Sequence, residues 1–87
     1  MKHAGPAALD RLEPLIEEIR ALPGLVEKSR GIFYRKSVAF LHFHEDFKGL
    51  FSDFKTGNGF ERHEVTTAKQ RRAFLAAVKA MLAHRSA

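Results

Sequence analysis

The fold of this chain is decided by residues 31–65, which read GIFYRKSVAFLHFHEDFKGLFSDFKTGNGFERHEV. Apolar side chains recur along this stretch with a period of two, and β-branched or aromatic residues dominate it, a pattern that predicts β-strands. Short connections at residues 36–37, 46–49 and 56–59 interrupt the pattern. Four strands are therefore predicted, at residues 31–35, 38–45, 50–55 and 60–65. We expect antiparallel neighbours, because parallel pairing needs a crossover of about a dozen residues.

An amphipathic stretch precedes the predicted strands. From residue 7 to about residue 22, leucine and isoleucine recur at helical spacing, and Leu22-Pro23-Gly24 ends the stretch. Pro14 lies inside it, and proline is best tolerated in the first turn of a helix. The regular helix is therefore expected to begin nearer Asp10 or to bend at Pro14.

A second helix is predicted after the strands, from Thr67 to about His84. Thr67 and Gln70 have the three-residue spacing of a capping box, which marks a helix start. The predicted architecture is α+β, in the order helix, four-stranded antiparallel meander, helix. Its predicted core comprises Leu12, Leu15, Ile16, Ile19, Leu41, Phe43, Phe74, Val78 and Leu82.

Length and composition limit the class of protein. The chain has 87 residues, no cysteine and a net charge of +5, which makes it a basic protein. We expect a single domain over residues 1–87, with flexible ends at about residues 1–5 and 85–87. The lack of cysteine excludes disulfides and thiolate zinc sites and fits a reducing compartment. No apolar stretch approaches the roughly 20 residues of a membrane span, and the first eight residues lack the apolar segment of a signal peptide. A cytoplasmic protein without membrane association is expected.

Two segments resemble known bacterial proteins. Leu22-Pro23-Gly24, followed by residues 31–34 and 38–43, resembles the small MmcQ/YjbR and TfoX N-terminal domains, in which a helix ending in Leu-Pro-Gly precedes a hairpin with a Phe-Ala or Ala-Phe pair. The match covers roughly residues 16–43. Residues 40–46 are more closely similar to a group of short uncharacterised bacterial proteins. These resemblances imply a fold and no established activity, so they assign no catalytic residue and no cofactor.

Two histidines form the candidate metal site. His42 and His44 are two residues apart on a predicted strand, so both imidazoles should project from one face of the sheet. A catalytic zinc ion takes three protein ligands plus water, so a third ligand must converge on the pair. We single out His63 as that ligand, with a carboxylate such as Glu64 as the alternative, because alternation turns Glu45 away. The competing interpretation is a pair of strand histidines with ordinary hydrogen bonds.

Aromatic and basic residues in the predicted sheet suggest nucleic-acid binding as a second hypothesis. Single strands bind where aromatic faces lie beside positive charge, because each base can stack and each phosphate is anionic. An aromatic core built without tryptophan is the competing interpretation. The candidate residues are Phe33, Arg35, Lys36, Phe40, Lys55 and Arg62.

Self-association is the third hypothesis. If the first hairpin turns at Lys36-Ser37, strict alternation places Phe33, Val38, Phe40 and His42 on the face opposite Leu41. Two helices at the ends of a meander would cover one face, so a homodimer is expected to cover the other unless one helix packs on each face. We therefore expect a small noncatalytic interaction or binding module that self-associates through a sheet face, because the sequence lacks nucleophile, cofactor and phosphate-loop signatures. A nucleic-acid-binding domain is the first alternative, and a small enzyme or metal site around the histidines is the lesser one.

Overall fold

This computed structural model describes residues 1–83 and shows an α+β domain with two helices and a six-stranded antiparallel sheet. The elements are β1 (Lys2–His3), α1 (Pro6–Arg20), β2 (Leu25–Ser29), β3 (Ile32–Arg35), β4 (Val38–Asp46), β5 (Gly49–Thr56), β6 (Gly59–Glu64) and α2 (Ala68–Ala83). Strands β2 to β6 form a meander in sequence order, and β1 pairs with β4 outside that path. The part of the chain that the structure describes contains no helix long and apolar enough to cross a membrane.

Four strands of the meander, β3 to β6, confirm the predicted ones, and two further strands were not predicted. Strand β2 has no buried residue, and the alternation of its side chains is only between half-buried and exposed, so it carries a weak strand signal. Strand β1 lies in residues 1–5, which were expected to be flexible, and Lys2 pairs with Glu45 and His3 with His44. The predicted flexible end at residues 85–87 lies outside the described residues.

Both helix starts follow from local chemistry. Helix α1 begins at Pro6 rather than near Asp10, because proline suits the first turn, and Pro14 is accommodated inside the helix. At α2 the predicted capping box is confirmed. The backbone N–H of Gln70 donates to Thr67 Oγ1 at 3.1 Å, and the backbone N–H of Thr67 donates to Gln70 Oε1 at 2.9 Å. Helix α2 is described to Ala83, and the predicted end at His84 lies outside the described residues.

The hydrophobic core lies between one face of the sheet and both helices. Eight of the nine predicted core residues are buried, and the ninth, Leu82, packs against the core while staying partly exposed. The sheet contributes alternate positions of two paired strands, with Leu41 opposite Phe54. The side chains that point to the helices are Leu41 and Phe43 on β4 and Leu50 and Phe54 on β5. Because both helices contribute to this one cluster, the opposite face of the sheet has no helix over it within residues 1–83.

A β-bulge corrects the predicted orientation of Phe33 and Phe40. Phe33 pairs with Leu41 and Tyr34 pairs with Ala39, so Phe40 is an extra residue in β4. Strict alternation, which would put Phe33 and Phe40 opposite Leu41, is therefore wrong here. Phe33 is 1% exposed and Phe40 is 2% exposed, and the Phe40 ring lies 6.2 Å from that of Phe54 between ring centroids. The bulge thus brings both aromatic side chains into the core of a single chain.

Candidate metal centre on the open sheet face

The sheet face opposite the helices, which we call the open face, carries a cluster of two histidines and an aspartate. Register places the residues side by side: His42 on β4 pairs with Asp53 on β5, and Asp53 pairs with Arg62 on β6. His44 follows two residues after His42 on the same strand and projects from the same face. The prediction that His42 and His44 share a face is confirmed by their contacts with a single carboxylate.

Both imidazoles point a ring nitrogen at one oxygen atom. His42 Nε2 lies 3.5 Å and His44 Nε2 lies 3.7 Å from Asp53 Oδ2. The ligand atoms that the three residues offer all lie within 4.8 Å of one another. Two ligands of a tetrahedral zinc ion lie about 3.4 Å apart, given metal–ligand bonds of about 2.1 Å. To bind one ion, the three ligand atoms would have to move from separations of up to 4.8 Å to about this distance.

The aspartate of the cluster is buried and charged. Asp53 is 6% exposed, and Arg62 donates from Nε to Oδ1 at 2.8 Å and from Nη2 to Oδ2 at 2.9 Å. These hydrogen bonds hold the pKa of Asp53 below its ordinary value, because they favour the ionised carboxylate. Asp53 is consequently an anion at neutral pH, the state in which a carboxylate binds metal.

The two histidines are neutral at the same pH. Burial lowers the pKa of His42 below its ordinary value, since a charged imidazolium is poorly solvated there, although Asp53 opposes this shift. Burial likewise lowers the pKa of His44, and neighbouring His42 adds to the effect. A neutral imidazole has one ring nitrogen with a free lone pair, which is the form that coordinates metal ions.

Aromatic rings surround the histidine pair. The ring of His3, on β1, stacks on His44 with centroids 4.8 Å apart, and the ring of His42 meets His44 edge-on at 4.7 Å. On the β6 side, Phe60 lies 5.3 Å from His42. The side chains of His42 and His44 are 22% and 14% exposed, so the cluster lies near the surface.

His63 does not join the pair. It lies opposite Ser52 and therefore on the helix side of the sheet, where its ring is 5.6 Å from Phe54 and 5.4 Å from Phe74. His63 Nε2 is 2.5 Å from Glu61 Oε2. Asp53 takes the place that the sequence hypothesis gave to His63. The sequence contained a signal for Asp53. If the β4–β5 hairpin closes with Asp46 opposite Gly49, counting outward along both strands places Asp53 opposite His42.

The structure brings only some of the residues proposed for nucleic-acid binding together. Phe33 and Phe40 are buried in the core, where no base can stack on them, and Arg62 binds Asp53 on the open face. Four of the six line one shallow cleft of about 250 Å³, which also contacts Met81 of α2: Arg35, Lys36, Phe40 and Lys55. Nucleic-acid binding stays a prediction, without the stacking platform that first suggested it.

The predicted dimer contact loses its two central aromatics. Phe33 and Phe40 are covered within one chain, whereas Val38 is 50% exposed and His42 belongs to the cluster on the open face. The dimer was expected because Phe33 and Phe40 would otherwise be exposed to water, but a single chain already buries both side chains. Homodimer formation itself stays a prediction.

Neither a protein-family model nor a curated protein or solved structure significantly matches this chain. The resemblances to the MmcQ/YjbR and TfoX N-terminal domains therefore stay predictions.

Proposed function

We propose that this chain is a small noncatalytic binding module that holds one divalent transition-metal ion on its open face through His42, His44 and Asp53. One observation carries the proposal: two imidazole nitrogens lie 3.5 and 3.7 Å from the same oxygen of a buried, ionised aspartate. No other cluster of three such ligands was found among residues 1–83.

The donor set selects the class of ion. Two neutral imidazoles and one carboxylate suit ions of borderline softness such as Zn²⁺, and the same set also binds Fe²⁺ and Ni²⁺. Ca²⁺ and Mg²⁺ prefer oxygen ligands throughout and are poorly matched to a site with two nitrogens. We therefore expect Zn²⁺ to bind and Mg²⁺ not to compete with it.

Arg62 gives the carboxylate of Asp53 a fixed orientation. Its Nε donates to Oδ1 at 2.8 Å, and an ion would bind Oδ2, the oxygen that both histidines face, beside or in place of the 2.9 Å hydrogen bond from Nη2. Such outer hydrogen bonds commonly orient metal-binding carboxylates. The positive charge of Arg62 also repels a cation, so the affinity is set by a balance between orientation and repulsion.

Zinc titration tests the proposal. Calorimetry on the tag-free protein should show one Zn²⁺ per chain, and His42→Ala, His44→Ala and Asp53→Asn should each weaken binding by at least about tenfold, which is about 1.4 kcal/mol. His63→Ala is the matched control, because it removes a histidine from the opposite face of the same sheet and should change the affinity less than about twofold.

Circular dichroism of each variant verifies that it is folded before titration. The proposal is overturned if the folded parent shows no saturable Zn²⁺ binding, or if the His63 variant loses affinity while the three site variants keep it.

A further inference from the structure

We propose that His3 supplies the fourth ligand of this centre, so that the bound ion fastens β1 to β4; the inference rests on the metal centre proposed above. The observation behind it is that a third histidine ring, from a distant part of the chain, lies directly against the two strand histidines.

Register fixes the position of His3. It lies directly opposite His44 in the antiparallel pair of β1 and β4, and cross-strand partners project from the same face. Its ring centroid is 4.8 Å from that of His44 and 6.0 Å from that of His42. The rings of His3 and His44 are stacked at 28°, so rotation of the exposed His3 side chain is needed to aim a ring nitrogen at the ion.

The coordination number gives His3 its role. Three protein ligands leave one position of a tetrahedral zinc ion open to water, as in catalytic sites, whereas four protein ligands close the ion in, as in structural sites. With His42, His44 and Asp53 alone the ion would keep a water molecule. Addition of the His3 imidazole replaces that water and makes the centre structural, in keeping with a noncatalytic module.

Strand β1 has few other contacts to hold it in place. Both of its residues are exposed, and the following backbone is held by the Ala4 amide, which donates to the Phe43 carbonyl at 3.1 Å, and by the Gly5 amide, which donates to Glu45 Oε2 at 2.6 Å. Without buried side chains, such a strand gains little from the hydrophobic effect. A metal–imidazole bond would therefore stabilise its pairing substantially, since ion binding is linked to ordering of the ligands.

The start of α1 keeps His3 within reach of the ion. Only Ala4 and Gly5 separate β1 from Pro6, the first residue of the helix, and Ala8 of that helix is buried in the core. The chain before Pro6 is thereby directed along β4. His3 is close to the centre in the folded protein, and the cost of bringing it to the ion is small.

Zn²⁺ affinity and Co²⁺ absorption spectra test the role of His3. His3→Ala should keep one ion per chain but weaken Zn²⁺ binding by at least about tenfold, equal to about 1.4 kcal/mol. Its Co²⁺ complex should differ in visible spectrum from that of the parent, because water replaces an imidazole. Lys2→Ala is the matched control, since Lys2 is the other residue of β1, and it should behave as the parent does.

Amide hydrogen exchange gives an independent measurement. Zn²⁺ should slow exchange at Ala4 in the parent and in Lys2→Ala, and should leave it unchanged in His3→Ala. If His3→Ala binds Zn²⁺ as tightly as the parent with the same Co²⁺ spectrum, the His3 inference is wrong while the three-ligand centre stands. If His42→Ala also binds as the parent does, the proposed function itself fails.

Discussion

At the scale of single residues, Gly31 shows how one backbone position couples the sheet to helix α1. Gly31 has φ of +79°, a left-handed conformation that costs other residues about 1–2 kcal/mol. A Cβ atom added there would lie 2.9 Å from Leu9 Cδ2 and 3.4 Å from Phe43 Cδ2. The absence of a side chain thus serves both the turn before β3 and the close packing of α1 on the sheet.

Gly31→Ala should therefore lower the free energy of unfolding by about 2–5 kcal/mol, the sum of backbone strain and overpacking. Gly24→Ala is the control, because Gly24 has a similar φ of +83° but open space around the added Cβ. It should cost only the strain, about 1–2 kcal/mol. Urea unfolding of the two variants measures the difference, and equal losses would show that Leu9 and Phe43 do not limit the space at Gly31.

At the scale of secondary-structure elements, ion pairs connect α1 to the edge strand β2. Arg20 near the end of the helix binds Glu13, Glu17 and Glu27, and its contact with Glu27 is 2.5 Å long. Glu27 also accepts a hydrogen bond from the Gly31 amide at 2.8 Å. Leu25 of β2 packs against the core, and these polar contacts add a second attachment of the strand to the helix.

The Glu27 contacts predict a pH dependence of stability. The hydrogen bond from Arg20 lowers the pKa of Glu27 below its ordinary value of 4.5 in the folded state. The stabilisation is therefore fully present above that ordinary value and is lost as the pH falls through the lower, folded-state pKa. Glu27→Gln should be less stable than the parent at pH 7, and the difference should shrink on acidification below pH 4.5.

Urea unfolding of the parent and Glu27→Gln across this pH range measures the effect. Glu18→Gln, a change of the same type at an exposed position of α1, is the control and should show a much smaller difference at pH 7. A Glu27 difference that stays constant with pH would contradict the link between the ionised carboxylate and the attachment of β2.

At the scale of the whole molecule, periodicity predicted the α+β class, both helices, four meander strands and most of the core. The two additional strands could not be predicted in this way, because β2 is a weakly apolar edge, and β1 has only two exposed residues, which pair with a strand distant in sequence. The bulge at Phe40 also escaped prediction, since alternation assumes an unbroken register.

The candidate site was predictable in part. The spacing of His42 and His44 gave the pair, and the register of the β4–β5 hairpin contained Asp53, but the face that His63 occupies follows only from the β5–β6 register, which pairs it with Ser52. His3 was not predictable from its neighbours, because its contact with the pair arises from tertiary structure across about 40 residues of sequence.

The inward orientation of Phe40 predicts how the whole molecule responds to its loss. Phe40→Ala should lower the free energy of unfolding by about 3–4 kcal/mol, because it leaves a cavity in the core. Val38→Ala removes an exposed side chain next to the same bulge and should cost less than about 1 kcal/mol. Thermal unfolding together with sedimentation distinguishes this outcome from a dimer contact, for which Phe40→Ala would dissociate the protein without destabilising the monomer.

The central claim is that one ion binds between β4 and β5 on the open face, and a crystal structure of the Zn²⁺-loaded protein tests it most directly. An anomalous difference map at the zinc absorption edge should show a peak about 2.1 Å from His42 Nε2, His44 Nε2 and Asp53 Oδ2. A map of the zinc-saturated protein with no peak at these three atoms, and with Arg62 still bound to both oxygens of Asp53, would contradict it.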